Sequence, residues 1–185
     1  MINPTEITNY NRTENELQEF LLFCIVVAGK NSQQQAKKLA EFLNIWPHLS
    51  PFEIIRRLDS HGALCTRLEW TRMGQYTRIV NAFRQVAKLA SLTTITVSEL
   101  EKVKGIGPKT ARFFILHSRP TMHLAVLDTH ILKWMREQGY NAPKATPSGQ
   151  RYLTLEVNFL AEARKRGMSP ADLDLAIWKE KSQKP

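Results

Sequence analysis

Apolar residues recur at intervals of three and four along nearly the whole chain, and this spacing constrains the fold more than any other feature. The repeat is clearest between residues 75 and 90, where Ile79, Val80, Phe83 and Val86 define one helical face. No stretch alternates apolar and polar residues as a half-buried strand does. The pattern predicts an all-α protein with helices at 14–28, 32–43, 51–58, 61–69, 75–90, 97–103, 108–118, 129–138, 147–166 and 170–180.

Several of these helices carry recognisable start signals. Asn31 or Ser32 is suited to cap the second helix, and Ser50 precedes a proline at the start of the third. Thr96 and Glu99 have the spacing of a capping box, in which each residue satisfies a backbone N–H group of the other. The signals support the helical interpretation independently of the apolar repeat.

The charge balance favours a polyanionic partner. The chain has 26 Lys and Arg residues against 17 Asp and Glu, a formal net charge of +9, and its pI is about 9.8. Basic side chains that neutralise phosphates release counterions and so favour nucleic-acid binding. The same surplus is also compatible with solubility alone, so charge narrows the choice of partner without deciding it.

The two cysteines and the apolar runs exclude other classes of protein. Cys24 and Cys65 are too few for a four-thiolate iron–sulfur or zinc site, and we expect both to be buried free thiols in a reducing compartment. The longest apolar run, 20–28, is far shorter than the ~20 residues that span a membrane. The polar N-terminus does not resemble a signal peptide. We therefore expect a protein of the cell interior that makes no use of a membrane.

A glycine-rich turn between two predicted helices is the first candidate functional motif. Two glycines allow unusual backbone angles and close approach of another backbone, and the proline after them suits the first position of a helix. The N–H groups of that first helical turn could bind a phosphate. A plain turn between packed helices explains the glycines equally well. The candidate DNA-phosphate contacts are Lys104, Gly105, Ile106, Gly107 and Thr110.

An acid at the start of the next helix is the second candidate motif. Asp128 follows a short apolar stretch and is suited to cap the helix that begins after it. One helix and a return loop fit between Lys109 and Asp128, so both side chains could face the same cleft. A capping role and a catalytic role are compatible for this carboxylate.

Together the two motifs resemble the helix-hairpin-helix DNA glycosylase superfamily, which includes endonuclease III and the 8-oxoguanine DNA glycosylases. The resemblance lies in L-x-x-V-x-G-I-G-x-K-x-A at 100–111, in V-x-D-x-H at 126–130, and in the helix order from 14 to 138. It implies that Lys109 matches the catalytic lysine and Asp128 the catalytic aspartate. Endonuclease III relatives usually carry a C-terminal four-cysteine cluster, whereas this chain has no cysteine after Cys65. The closer resemblance is therefore to compact 8-oxoguanine DNA glycosylase/AP lyases without an iron–sulfur cluster.

The resemblance implies an architecture and an activity. The expected fold is a single glycosylase unit over 1–185, a two-lobed helical bundle with a cleft between the lobes. One lobe would comprise 30–128 with the hairpin at 100–118, and the other 1–29 with 129–185. The implied activity is that of a bifunctional DNA N-glycosylase/AP lyase of base excision repair, monomeric and without cofactor or metal. It would excise 8-oxoguanine from double-stranded DNA through a Schiff base on Lys109.

Two alternatives remain open, and the base pocket is less constrained than the catalytic pair. The alternatives are a glycosylase/lyase for oxidised pyrimidines and a non-catalytic helix-hairpin-helix DNA-binding module. Trp178 is the first candidate to stack on an extruded base, with Met73 or Phe20 on the other side, although all three also fit an apolar core. By resemblance, Lys30 and Asn31 lie where related enzymes probe the space left by the base. The remaining candidates for contacts with base or phosphate are His130, Lys181 and Lys184.

Overall fold

The computed structural model describes residues 1–182, which form ten α-helices and no strand. The all-α prediction is confirmed. The helices are α1 (Glu14–Val26), α2 (Ser32–Leu43), α3 (Pro51–Ser60), α4 (Leu64–Trp70), α5 (Tyr76–Val86), α6 (Val97–Glu101), α7 (Pro108–Ser118), α8 (Thr129–Glu137), α9 (Gly149–Lys165) and α10 (Pro170–Ser182).

Local signals set most of the helix starts. Asn31 caps α2 by accepting from the Gln34 N–H at 3.0 Å, and the predicted box of Thr96 and Glu99 opens α6. The fourth helix begins later than predicted, because residues 61–63 close the end of α3. There Gly62 takes a φ of +66° and donates to the Asp59 carbonyl at 3.0 Å. A helix commonly ends on such a left-handed glycine.

The core consists of two main hydrophobic clusters. The larger one joins residues of α1 to α7, and its largest fully buried side chains include Phe20, Phe42, Phe83 and Phe114. The smaller one joins the 125–127 segment to α8, α9 and α10. Helix α10 also packs against α7, so it connects the two clusters.

Helix α1 belongs to the larger cluster, whereas the sequence analysis grouped residues 1–29 with the C-terminal helices. It packs against α2, α3, α5 and α7. Its apolar residues do not form one stripe: seven consecutive residues from Phe20 to Val26 are buried. A helix that is apolar on all sides requires neighbours on all sides. The central position of α1 follows from this requirement.

One of the two cysteines that were predicted to be buried is exposed. Cys24 is buried in α1, as predicted, but Cys65 lies exposed on α4 with its Sγ 3.5 Å from the Glu69 carboxylate, so its predicted burial is wrong.

Within residues 1–182, no helix has the length and apolarity needed to cross a membrane. The same residues contain no group of three or more His, Cys, Asp or Glu side chains that could hold a metal ion.

Candidate active site

A cleft of about 890 Å³ lies where α1, the hairpin, α8 and α10 approach one another. Most of its walls come from four parts of the chain: 27–32 after α1, 107–110 at the start of α7, 126–130 at the start of α8, and the α10 face that carries Asp174 and Trp178. Pro4, Ile7 and Thr146 also line it. Residues far apart in sequence thus meet at one concave surface, which is large enough for a nucleotide-sized group.

The hairpin is fixed to the rest of the protein through Gly105. This residue has a φ of +103°, and a Cβ at its position would lie 3.0 Å from the Arg78 carbonyl oxygen. The Arg78 guanidinium donates to the Gly105 carbonyl at 3.0 Å and to the Ile25 carbonyl at 2.8 Å. Gly105 therefore serves both the turn and the close packing of the hairpin on α5, as a glycine with positive φ commonly does.

The start of α7 is left open toward the cleft. Gly107 is the N-cap residue and provides no side-chain cap, and it lines the cleft together with Pro108, Lys109 and Thr110. The first N–H groups of a helix have no acceptor within the helix, and the helix dipole adds positive character there. Gly107 itself has an ordinary extended backbone with φ −100° and open space around its Cβ position.

Of the five candidate phosphate contacts, Gly107 and Thr110 line the cleft. Lys104 is exposed but does not line the cleft, and its backbone N–H is bonded to Gln85 at 3.2 Å. The Ile106 side chain is buried and its N–H is bonded to the Val103 carbonyl at 3.0 Å. Ile106 therefore anchors the turn internally and does not offer its N–H to a ligand.

Lys109 projects from the first turn of α7 into the cleft and is half-buried. Its Nζ lies 5.3 Å from the centroid of the Phe113 ring, one helical turn further along α7. Within residues 1–182, no carboxylate lies within salt-bridge distance of this amine, and it forms no hydrogen bond. The amine therefore meets the cleft without a salt-bridge partner, and its positive charge opposes the rise in pKa that burial causes at Asp174 and Cys24.

Asp128 lines the same cleft and caps α8. Its Oδ1 accepts from the N–H groups of His130 at 2.8 Å and Ile131 at 2.9 Å. Its Oδ2 has no hydrogen-bond partner among the described residues. The capping bonds fix the carboxylate while one oxygen remains available to a ligand. The structure thus brings Lys109 and Asp128 into one cleft.

Asp174 is a second carboxylate at the cleft, and it was not predicted from the sequence. Its Oδ2 is 3.2 Å from Nε2 of the fully buried His117, whose Nδ1 lies 2.7 Å from Thr8 Oγ1. Burial raises the pKa of Asp174, with the nearby Asp128 carboxylate acting in the same direction, and the His117 hydrogen bond opposes this. The only sequence signal was an acid one helical turn before Trp178 in α10.

Some of the predicted base-pocket residues line the cleft, and others do not. Trp178, Lys30, Asn31, His130 and Lys181 all line the cleft. Lys30 donates to the Met73 carbonyl, and burial lowers its pKa. Lys181 pairs with Glu137 and Glu180, which raises its pKa. Neither lysine is therefore a freely mobile surface charge.

Phe20 and Met73 do not reach the cleft. Both belong to the larger core cluster, with 0% and 1% of their surface exposed. The Phe20 ring packs against Phe113 and Phe114 at centroid distances of 5.9 and 5.6 Å. Their apolar side chains are satisfied by the core, so the structure does not offer them as walls of a base pocket. Lys184 lies outside the described residues.

Comparison with known proteins points to one family. A sequence model described as 8-oxoguanine DNA glycosylase matches residues 3–168. The 8-oxoguanine DNA glycosylase/AP lyase of Thermoplasma volcanium is 26% identical over 167 residues, covering 90% of this chain and 80% of that relative. The enzyme of the same description from Picrophilus torridus is 40% identical over 79 residues, covering 43% of this chain and 37% of the relative.

Solved structures show the same fold. The crystal structure of Methanocaldococcus jannaschii 8-oxoguanine glycosylase/lyase with a 15mer DNA containing 8-oxoguanine has a TM-score of 0.73. The two chains are 22% identical, and the match covers 94% of this chain and 84% of that one. A second structure, of the M. jannaschii 8-oxoguanine DNA glycosylase, gives a TM-score of 0.67. Because the family model spans well over half of its length, this chain belongs to the 8-oxoguanine DNA glycosylase family.

Proposed function

We propose that this protein is a bifunctional DNA glycosylase/AP lyase of base excision repair that removes 8-oxoguanine, acting as a single unit and a monomer on double-stranded DNA. One observation carries the proposal: the unpaired amine of Lys109 and a capped but accessible carboxylate, Asp128, line the same nucleotide-sized cleft. The family membership supplies the substrate class.

Lys109 is the proposed nucleophile. The extruded nucleotide would place its C1′ carbon at the amine, since that carbon is inaccessible within stacked duplex DNA. The neutral amine attacks C1′, the bond to the base breaks, and the base leaves with the bonding electrons and a proton. The remaining amine proton passes to the ring oxygen as the sugar ring opens, which gives an imine. Loss of a proton from C2′ then forms a C2′–C3′ double bond and expels the 3′ phosphate, which cuts the strand.

Asp128 is proposed to stabilise the positive charge that develops on the sugar as the base departs. A fixed carboxylate is effective in this role because it needs no reorganisation during the reaction. The two capping bonds to Oδ1 supply that rigidity, and Oδ2 can face the sugar. Asp128 would thus both cap α8 and stabilise the charge on the sugar.

The walls of the cleft suit the rest of a nucleotide. The uncapped start of α7, with Gly107 and Thr110, offers backbone donors to a phosphate. Trp178 offers an aromatic face to an extruded base, and Asp174, one helical turn before it, can hydrogen-bond a base edge. Phosphate contacts would give affinity, and contacts with the base would give lesion specificity.

The test is covalent capture with borohydride, which reduces an imine between Lys109 and DNA. Lys109→Gln should lose both capture and strand scission on an 8-oxoguanine duplex. The matched control is Lys102→Gln, which removes an exposed lysine of the same hairpin and should leave both unchanged. Undiminished capture in Lys109→Gln would refute the assignment of the nucleophile.

The same assay separates the substrate classes. Duplexes containing one 8-oxoguanine, one thymine glycol or no lesion are compared at equal protein concentration. Cleavage of the 8-oxoguanine duplex alone is the expected result. Cleavage confined to thymine glycol would establish the oxidised-pyrimidine alternative, and binding without cleavage of any duplex would establish the non-catalytic one.

A further inference from the structure

A buried charged network lies behind the cleft and connects the elements that carry the two proposed catalytic groups. The Arg112 guanidinium donates to Glu156 at 2.9 Å through Nε and to Glu101 at 2.6 Å through Nη1. Arg112 and Glu156 are both buried. The network therefore joins α7 to α9 and to α6.

The same network holds the backbone that leads to Asp128. The Oε1 atom of Glu156 that accepts from Arg112 also accepts from the Ala125 N–H at 2.8 Å. The Tyr152 hydroxyl donates to the Ala125 carbonyl at 2.7 Å and accepts from the Leu127 N–H at 3.2 Å. Burial raises the pKa of Tyr152, which keeps this hydroxyl protonated. Its ring lies 4.4 Å from the Arg112 guanidinium carbon.

The two ends of the network lie next to the proposed chemistry. Arg112 is one helical turn after Lys109 on α7, and Leu127 directly precedes Asp128. A buried ion pair is weak support for stability, because removing two charges from water costs about as much as their attraction returns. The positions in which this network holds the backbone therefore explain it better than a contribution to the free energy of unfolding does.

We propose that Arg112, Glu156 and Tyr152 are positioning residues that set the distance between the Lys109 amine and the Asp128 carboxylate across the cleft. The inference rests on the proposed function. None of the three lines the cleft, so each acts only through the backbone it holds. A displacement of about 1 Å at reacting groups can cost on the order of 100-fold in rate.

Two conservative substitutions test the proposal. Tyr152→Phe removes one hydroxyl and so releases the Ala125 carbonyl and the Leu127 N–H, while the Arg112–Glu156 pair and its bond to the Ala125 N–H stay intact. Glu156→Gln keeps the size of the side chain and removes its charge. Both should lower the single-turnover rate of borohydride capture at saturating protein by about 10-fold or more, with half-saturation on an 8-oxoguanine duplex unchanged within about 2-fold.

The loop after α8 and helix α9 provide a matched control pair. Tyr140 donates to Glu162 at 2.8 Å, and Glu162 pairs with Lys165 at 2.7 Å. This second tyrosine–glutamate pair belongs to the same part of the fold, and neither side chain forms a hydrogen bond with residues 125–128. Tyr140→Phe and Glu162→Gln should therefore keep the wild-type capture rate at temperatures well below all the Tm values.

Because the capture rates are compared well below all the Tm values, the outcomes test the proposal even if a variant has a lower Tm. A fall in capture rate for the residue-152 and residue-156 variants alone supports it. Wild-type rates in Tyr152→Phe and Glu156→Gln, equal falls in the control pair, or a loss confined to half-saturation would overturn it. Capture by wild type that is lost in Lys109→Gln but unchanged in Tyr152→Phe would leave the proposed function standing while removing this inference.

Discussion

The two glycines of the hairpin should respond very differently to alanine. Gly105→Ala places a Cβ 3.0 Å from the Arg78 carbonyl oxygen and 3.3 Å from the Ala82 Cβ, on a backbone with φ of +103°. A residue with a side chain in such a backbone region costs about 1–3 kcal/mol. Crowding a packed contact costs about 1–3 kcal/mol more.

The unfolded chain offsets part of this cost. Alanine has fewer unfolded conformations than glycine, which returns about 0.4–1 kcal/mol. The expected net loss in the free energy of unfolding for Gly105→Ala is therefore about 1–5.5 kcal/mol. For a chain of 185 residues, at about 2–4 °C per kcal/mol, this corresponds to a Tm lower by about 2–22 °C.

Urea unfolding followed by circular dichroism measures the loss, with Gly107→Ala as the control. Gly107 has an extended φ of −100° and no atom within 4 Å of its Cβ position, so its substitution should change stability by less than about 1 kcal/mol. Equal losses at the two positions would refute the argument from φ and contact distance. Because Gly107 lines the cleft, its alanine variant should instead weaken binding to lesion DNA.

The remaining predictions concern the cleft. Asp128→Asn keeps an amide oxygen that can cap α8, so its Tm should stay near that of wild type while the capture rate falls about 100-fold or more; wild-type capture would contradict the electrostatic role. Trp178→Ala should reduce excision of 8-oxoguanine more than affinity for undamaged duplex, and equal losses would argue against stacking. Burial raises the pKa of Asp174, and the hydrogen bond from His117 opposes this rise. The carboxyl of the folded protein therefore keeps its proton at pH values where the unfolded carboxyl, with a pKa of about 4, has released it. The free energy of unfolding should fall as the pH rises above that value, and Asp174→Asn should flatten this part of the curve of Tm against pH; an unchanged slope would contradict the assignment.

Features governed by a few neighbouring residues could be predicted from the sequence. Asn31, Ser50 and Thr96 each cap the helix expected of them, because a cap needs only a side-chain oxygen and an N–H two or three residues later. The motif around Lys109 and the acid at Asp128 identified the family for the same reason, since the types and spacing of these residues are local properties.

Burial and convergence could not be predicted in this way. Phe20 and Trp178 both lie in helices rich in apolar residues, yet one is sealed in the core and the other lines the cleft. Cys65 is exposed although its helix also contributes buried residues. Which face of a helix meets another element depends on every other helix, so no local pattern determines it.

The sequence by itself determined an all-α chain, most of its helix starts, and the lysine and aspartate that identify its family. Only the tertiary structure decided that α1 lies at the centre of the larger cluster, that Asp174 reaches the cleft from α10, and that Arg112 connects the hairpin to the backbone before Asp128. The physical reason is the range of the forces involved. Capping and turn preferences act over three or four residues, whereas the burial of a charge or an aromatic ring is settled by side chains that approach one another only after the chain has folded.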